Sequence, residues 1–248
     1  MKLNNKRTIL VGLAFLSICA FWQMYDSIVP LILTKTFHMN ETFSGAIMAA
    51  DNILALFLLP FFGSVSDKSH SKLGKRMPFI LFGTGCAIIL MNILPLLDNS
   101  YAAQPSGFKT ASFVIVLGLL LVAMGTYRAP AVALMPDVTP KPLRSRANAI
   151  INLMGAVGGI LYLGVAAVLY PNSKTAGLDH VNYQPLFIVV SAIMFVAVAV
   201  LFLTIREPKL TAENQALEKQ HPEWNLAQDD GSGSALTVTH PVHYQLVK

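Results

Sequence analysis

Residues 111–137 read "ASFVIVLGLLLVAMGTYRAPAVALMPD", and this stretch decides the fold. Up to Thr126 it carries no ionisable side chain, and then Arg128 stands where an apolar helix is still crossing hydrocarbon. A hydrocarbon layer roughly 30 Å thick takes about 20 helical residues. A charge at the centre of such a helix costs about 2.5–3.5 kcal/mol on insertion scales. The stretch therefore predicts a transmembrane helix, and Arg128 predicts a polar cavity or an anionic partner inside the membrane. The alternative is that the long side chain snorkels to the nearer interface.

The pattern recurs along the chain. The 248 residues are 54% hydrophobic and 12% charged, with a mean hydropathy of +0.56. Soluble domains carry roughly 25% charged residues. Six apolar windows stand out, at 8–37, 42–65, 78–97, 110–136, 147–170 and 184–205. Each must be helical, because open strand edges are not satisfied in lipid. The first window has no small-x-small cleavage pattern and reads as a retained signal-anchor. The chain is thus expected to be an all-α membrane protein with a six-helix transmembrane domain at 1–205. A polar tail at 206–248 follows, with a brief helix around 211–219.

Charge sets the expected orientation. Lys2, Lys6, Arg7, Lys68, Lys72, Lys75, Arg76, Lys141, Arg144, Arg146, Arg206 and Lys209 fall on one side of the six windows, and Lys35, Lys109 and Lys174 on the other. The positive-inside bias places both termini in the cytoplasm. The net charge of +5 is accounted for by these loops, so no nucleic-acid partner is expected. Cys19 and Cys86 lie in apolar windows and read as small hydrophobes rather than a disulfide.

Three ionisable residues lie within windows: Asp26, Asp51 and Arg128. Trp22, Tyr25 and Asp26 share a helix face, and rings beside a carboxylate suit a sugar-like ligand. The alternative is that these rings pack or anchor the span. Asp51, followed by Asn52, is a candidate proton acceptor, or else a structural partner for Arg128. The third and sixth windows carry no charge and are expected to be peripheral. Gly155 and Gly159 form a GxxxG pair for close helix contact, and Pro30, Pro60, Pro95 and Pro130 are positioned to kink helices. No HExxH, GxSxG or Walker A pattern is present, so an enzyme is not expected. The histidines fall in loops or tail, and His240 with His243 reads as solvated tail rather than metal site.

The loop "GSVSDKSHSKLGKRMP" at 63–78 resembles the signature that the major facilitator superfamily carries between its second and third spans. The stretches "PFFGSVSDK" at 60–68 and "YRAPAVALMPDVTPKPLRSRANAI" at 127–150 resemble the sucrose transporters and the glycoside-pentoside-hexuronide:cation symporters. The resemblance implies the amino-terminal half-bundle of a twelve-span carrier. It further implies uptake of a sugar-like solute across the plasma membrane by alternating access, coupled to H+ or Na+ and needing no other cofactor. It makes Arg128 the cavity arginine. Gly63, Asp67, Lys68, Gly74, Lys75 and Arg76 become an inner-gate set, with Asp137 pairing Arg144 or Arg146. Lys75, where the signature has arginine, keeps the charge and loses the planar fork. Six spans rather than twelve imply a missing carboxy-terminal half, a fragment or a homodimer. The competing expectation is a non-transporting membrane binding or regulatory protein, or an inactive fragment.

Overall fold

The computed structural model describes residues 3–175, 177, 178 and 180–226. Lys2, His240, His243 and the tail from 227 onward lie outside the described residues, as does the side chain of Lys174. The elements are α1 (Asn5–Leu31), α2 (Glu41–Asp67), α3 (Met77–Ala103), α4 (Gly107–Val138), α5 (Arg144–Leu169), a short α6 (Asn172–Thr175), α7 (Gln184–Thr204), α8 (Glu207–Gln220) and a short α9 (Glu223–Leu226). Among the described residues there is no strand, and six helices are long and apolar enough to cross a membrane. They cover the six windows and overrun several of them. The α3 helix continues past residue 97 to Ala103, carrying Asp98 inside it.

Local chemistry accounts for several helix ends. Asn4 caps α1 by accepting from the Arg7 amide at 3.1 Å, and Asn40 caps α2 through the Thr42 amide at 3.0 Å. Pro30 lies inside α1, just before the helix widens into a π turn at Ile32–Thr36. Proline removes one backbone donor, and the Thr34 hydroxyl donates to the Pro30 carbonyl at 2.8 Å.

The α1 helix packs chiefly on α5, and α3 on α4, while α7 joins both α1 and α3, and α2 leans on α4. Phe21, Tyr25, Met91, Phe113, Tyr127, Phe187 and Met194 form part of the buried core between them. Close approach of α1 and α5 rests on glycine, but not on the expected pair. A Cβ at Gly158 would overlap the Leu16 carbonyl, and one at Gly155 would lie 2.9 Å from Cys19 Sγ, whereas Gly159 faces only Gln23 at 3.8 Å. The contact pair is Gly155 with Gly158, one residue off the GxxxG spacing.

A second expectation is reversed. The α3 and α7 helices, whose apolar windows carry no charge, are well packed, with 39% and 44% of those windows buried, while α2, which carries Asp51, has 0%. Hydropathy does not separate a helix surrounded by lipid from one surrounded by apolar helices, because both environments are equally dry.

The brief helix expected in the tail forms as α8, longer than expected at its start. The departure is in its packing, because it folds back onto the end of α4.

Candidate functional site

Two polar constellations lie on this scaffold. The first is inside the bundle. Tyr127 is wholly buried; its hydroxyl donates to the Ala14 carbonyl at 3.0 Å and lies 2.5 Å from Ser17 Oγ. These bonds fix the register of α4 against α1 one residue before Arg128. The Arg128 guanidinium consequently sits over the Trp22 ring, 5.5 Å from its centroid, within cation–π range. Arg128, half-buried, thus reaches toward α1.

Trp22, Asp51, Leu58, Gly125 and Arg128 share the walls of a narrow cavity of about 20 Å³, room for about one water. Arg128 and Asp51 face this space without an ion pair between them among the described residues. Trp22 Nε1 and Asp51 Oδ1 on these walls, and the hydroxyl of Tyr25 beside Trp22, are buried and meet no hydrogen-bond partner among the described residues. Tyr25 lies within electrostatic reach of both Asp26 and Asp51. Asp26 is exposed on α1 and Asn52 is exposed on α2, so neither lines the cavity. The sequence placed Asn52 with its neighbour, but consecutive helical residues point about 100° apart.

The second constellation closes the end of the bundle where α1 begins and α7 ends. Arg76, 6% exposed, is its centre. Its Nε donates to Asp137 Oδ2 at 2.8 Å and its Nη1 to Ser66 Oγ at 2.5 Å, while Nη2 pairs with Asp67. Burial by itself depresses the Arg76 pKa, but the hydrogen bond and charge of Asp137, with the charge of Asp67, outweigh it and hold the guanidinium above its ordinary range. One planar fork thus ties α2, α3 and α4 together.

Some expected members of this set behave differently. Asp137 pairs with Arg76 and not with Arg144 or Arg146. Arg144 instead donates to Glu218 on α8 at 2.9 Å, and Arg146, Lys68 and Lys75 point to the surface. Gly63 has open space around its Cα, so close packing does not require glycine there; its carbonyl accepts from Ser66 Oγ at 2.8 Å. Gly74 does require it: φ is +114°, and a Cβ would overlap the Glu207 carboxylate.

Glu207, Asn214 and Glu218 were missed in the sequence because they sit in a segment read as linker. Glu207 is 2% exposed. It accepts from the backbone amides of Lys75 at 2.7 Å, Arg76 at 2.9 Å and Met77 at 2.8 Å. It caps α3 from 131 residues away, where Arg76 at the N-cap position offers no side-chain cap of its own. Asn214 donates to the Asp137 carbonyl at 3.2 Å. The available signal was a carboxylate at the first position of a helix beginning "EPK", normally a solvated N-terminal charge.

At the opposite end, Asp98 is wholly buried, with the Thr36 hydroxyl and the His180 ring as its polar neighbours. His180 Nδ1 lies 4.0 Å away. The His180 ring is held between Thr36 Oγ1 at 3.2 Å and Asn99 Oδ1 at 2.9 Å. Among the described residues there is no cluster of metal-ligand type.

Six membrane-length helices enclosing charged groups define a multi-pass membrane protein with a polar interior. The chain belongs to the Major Facilitator Superfamily, whose family model matches residues 11–239. Among curated relatives, a sucrose transport protein (SUC3) of Arabidopsis thaliana is 35% identical over 158 residues, 59% of this chain and 26% of the relative. A sucrose transport protein (SUT4) of Oryza sativa is 27% identical over 235 residues, 86% of this chain and 39% of the relative. Solute carrier family 45 member 3 of Homo sapiens is 25% identical over 186 residues, 73% of this chain and 34% of the relative. The matches thus span 26%, 39% and 34% of the lengths of these relatives.

Proposed function

We propose that the chain is the amino-terminal half-bundle of a secondary active transporter that moves a sugar-like solute across the plasma membrane by alternating access, coupled to H+ or Na+. The observation that carries this reading is the set of unsatisfied polar atoms within the bundle: Trp22 Nε1, Tyr25 Oη and Asp51 Oδ1, beside Arg128. Unpaired buried polar groups destabilise a fold by about 1–3 kcal/mol each, so their retention fits groups kept for a ligand or a proton. A ring over which a cation sits, with a phenol and a carboxylate near it, offers a sugar both a stacking surface and hydroxyl partners. Asp51 is the proposed proton carrier. Arg128, always charged, is not itself the carrier.

A cavity with room for about one water is only one wall of a sugar site. The other wall is proposed to come from a second half-bundle, in a longer chain or a second copy. Exposed polar residues in two spans support this. Asn52 lies near the middle of α2, and Asn148 and Asn152 lie on α5. Facing lipid, each would leave an amide unpaired. The Arg76, Asp67, Asp137 and Glu207 lattice is proposed to be the cytoplasmic gate, tight when the solute path is closed at that end.

Proteoliposomes holding the complete transporter, this half-bundle together with its second half, and given radiolabelled sucrose under an imposed proton or sodium gradient, test the reading. The expected result is uphill accumulation that Asp51→Asn abolishes while exchange persists. Unchanged uphill uptake in Asp51→Asn refutes the proton-carrier assignment. Folded protein that shows neither uptake nor saturable sucrose quenching of Trp22 fluorescence, in a Trp224→Phe background, favours the non-transporting binding or regulatory protein.

A further inference from the structure

The end of the bundle that holds the Arg76 lattice carries a separate cavity of about 420 Å³ between the start of α1, the end of α7 and α8. Lys6, Arg7, Arg206 and Lys209 stand around it against a single carboxylate, Glu213, and Leu10, Ile205 and Leu210 form its apolar wall. A second cavity of about 340 Å³ shares Ile205, Arg206 and Lys209 and continues beneath Lys72.

The charge around these spaces is not balanced from within the protein. Lys6, Lys72 and Arg206 make no ion pair or side-chain hydrogen bond among the described residues. Lys209 reaches only Glu213, at 3.9 Å in a solvent-exposed pair. Arg7 donates one nitrogen to the Val138 carbonyl at 3.1 Å and keeps its charge unpaired. Glu207, next to Arg206 in sequence, is turned away into the α3 amides.

We infer that this pair of cavities binds the headgroup of an anionic phospholipid. Position and chemistry agree on the ligand. The site lies where α1 enters and α7 leaves the apolar zone, which is the headgroup level of a bilayer. Basic pockets between spans hold anionic headgroups, each nearby cation adding about 1 kcal/mol of attraction. The apolar wall of Leu10, Ile205 and Leu210 accommodates the glycerol and first methylenes, which a free inorganic anion lacks. Occupancy would brace α8 against α1 and α7, next to the loop and helix start that Glu207 caps.

The test places the purified full chain in vesicles of equal phosphatidylcholine and phosphatidylglycerol, followed by gentle extraction and quantification of retained lipid. Wild type is expected to retain phosphatidylglycerol over phosphatidylcholine by roughly fivefold or more. Lys6→Gln with Arg206→Gln is expected to remove that preference. Lys35→Gln with Lys219→Gln, which lie away from both cavities, is expected to keep it. Melting in phosphatidylcholine alone checks that the variants fold; if the double variant does not, the single Lys209→Gln, at an exposed side chain, replaces it. No preference in wild type, or a preference that survives neutralising the cavity, overturns the proposal. So does displacement of the lipid by a large molar excess of inorganic phosphate, which would assign the cations to a soluble anion.

Discussion

Replacing Glu207 by alanine is expected to unlatch the start of α3 without unfolding the bundle. The carboxylate is 2% exposed and accepts from three consecutive backbone amides at 2.7–2.9 Å. Hydrogen bonds to a charged group contribute about 1.5–3 kcal/mol each, and a carboxylate at a helix N-terminus adds about 0.3–1 kcal/mol through the helix dipole. Three such bonds bound the loss at roughly 5–9 kcal/mol. Water reaching the loop beside exposed Lys75 recovers part of it, leaving about 3–5 kcal/mol. Because about 1.4 kcal/mol is a factor of ten, hydrogen exchange of the amides at 75–77 is expected to quicken at least about 100-fold. The core amides of α1 should change little. Glu207→Gln keeps the shape but turns an amide nitrogen toward a donor, and about half of the effect is expected. Acceleration of less than about threefold in Glu207→Ala would refute the capping role.

Arg76→Lys keeps the charge but not the fork, and is expected to lower stability in detergent by about 2 kcal/mol; Lys75→Ala, at an exposed side chain, should stay within about 0.5 kcal/mol. A comparable loss in both variants would show that the loop, not the Arg76 lattice, is being measured. Gly158→Ala should destabilise by about 1–3 kcal/mol through overlap with the Leu16 carbonyl, whereas Gly159→Ala should be nearly neutral. Paired thermal melts decide between the two glycine registers. His180→Ala takes away the ring nitrogen nearest the buried Asp98 and is expected to lower stability by about 1–3 kcal/mol. Adding Asp98→Asn should change that loss if the two side chains interact, and strictly additive losses would argue against the pair.

Much of the fold was legible because membrane helices are written locally. An uninterrupted apolar window such as 111–126 must satisfy its own backbone in lipid, so its helicity does not depend on distant residues. The Arg76 and Asp67 members of the lattice were legible through the resemblance of the loop at 63–78 to the superfamily signature, which carries both within ten residues. The partners of the charges were less so. Asp137 was assigned to its chain neighbours Arg144 or Arg146, yet it meets Arg76, because α4 lies against α3 and brings a residue 61 positions away within 2.8 Å. Asp98 was passed over because hydropathy ended the third span at residue 97, where apolar content falls although the helix continues.

The sequence by itself determined that this chain is a helical membrane protein, how many spans it has, and that charges lie within them. Transfer into hydrocarbon depends on the composition of each segment alone. Only the tertiary structure decided that Arg128 lies over Trp22 and not with Asp51 in an ion pair, and that Gly158 and not Gly159 meets α1. It alone laid the tail helix back on the bundle, where Glu207 closes the start of α3. Those outcomes depend on rotation and approach of whole helices, and a shift of one residue, 100° around a helix, exchanges the partner.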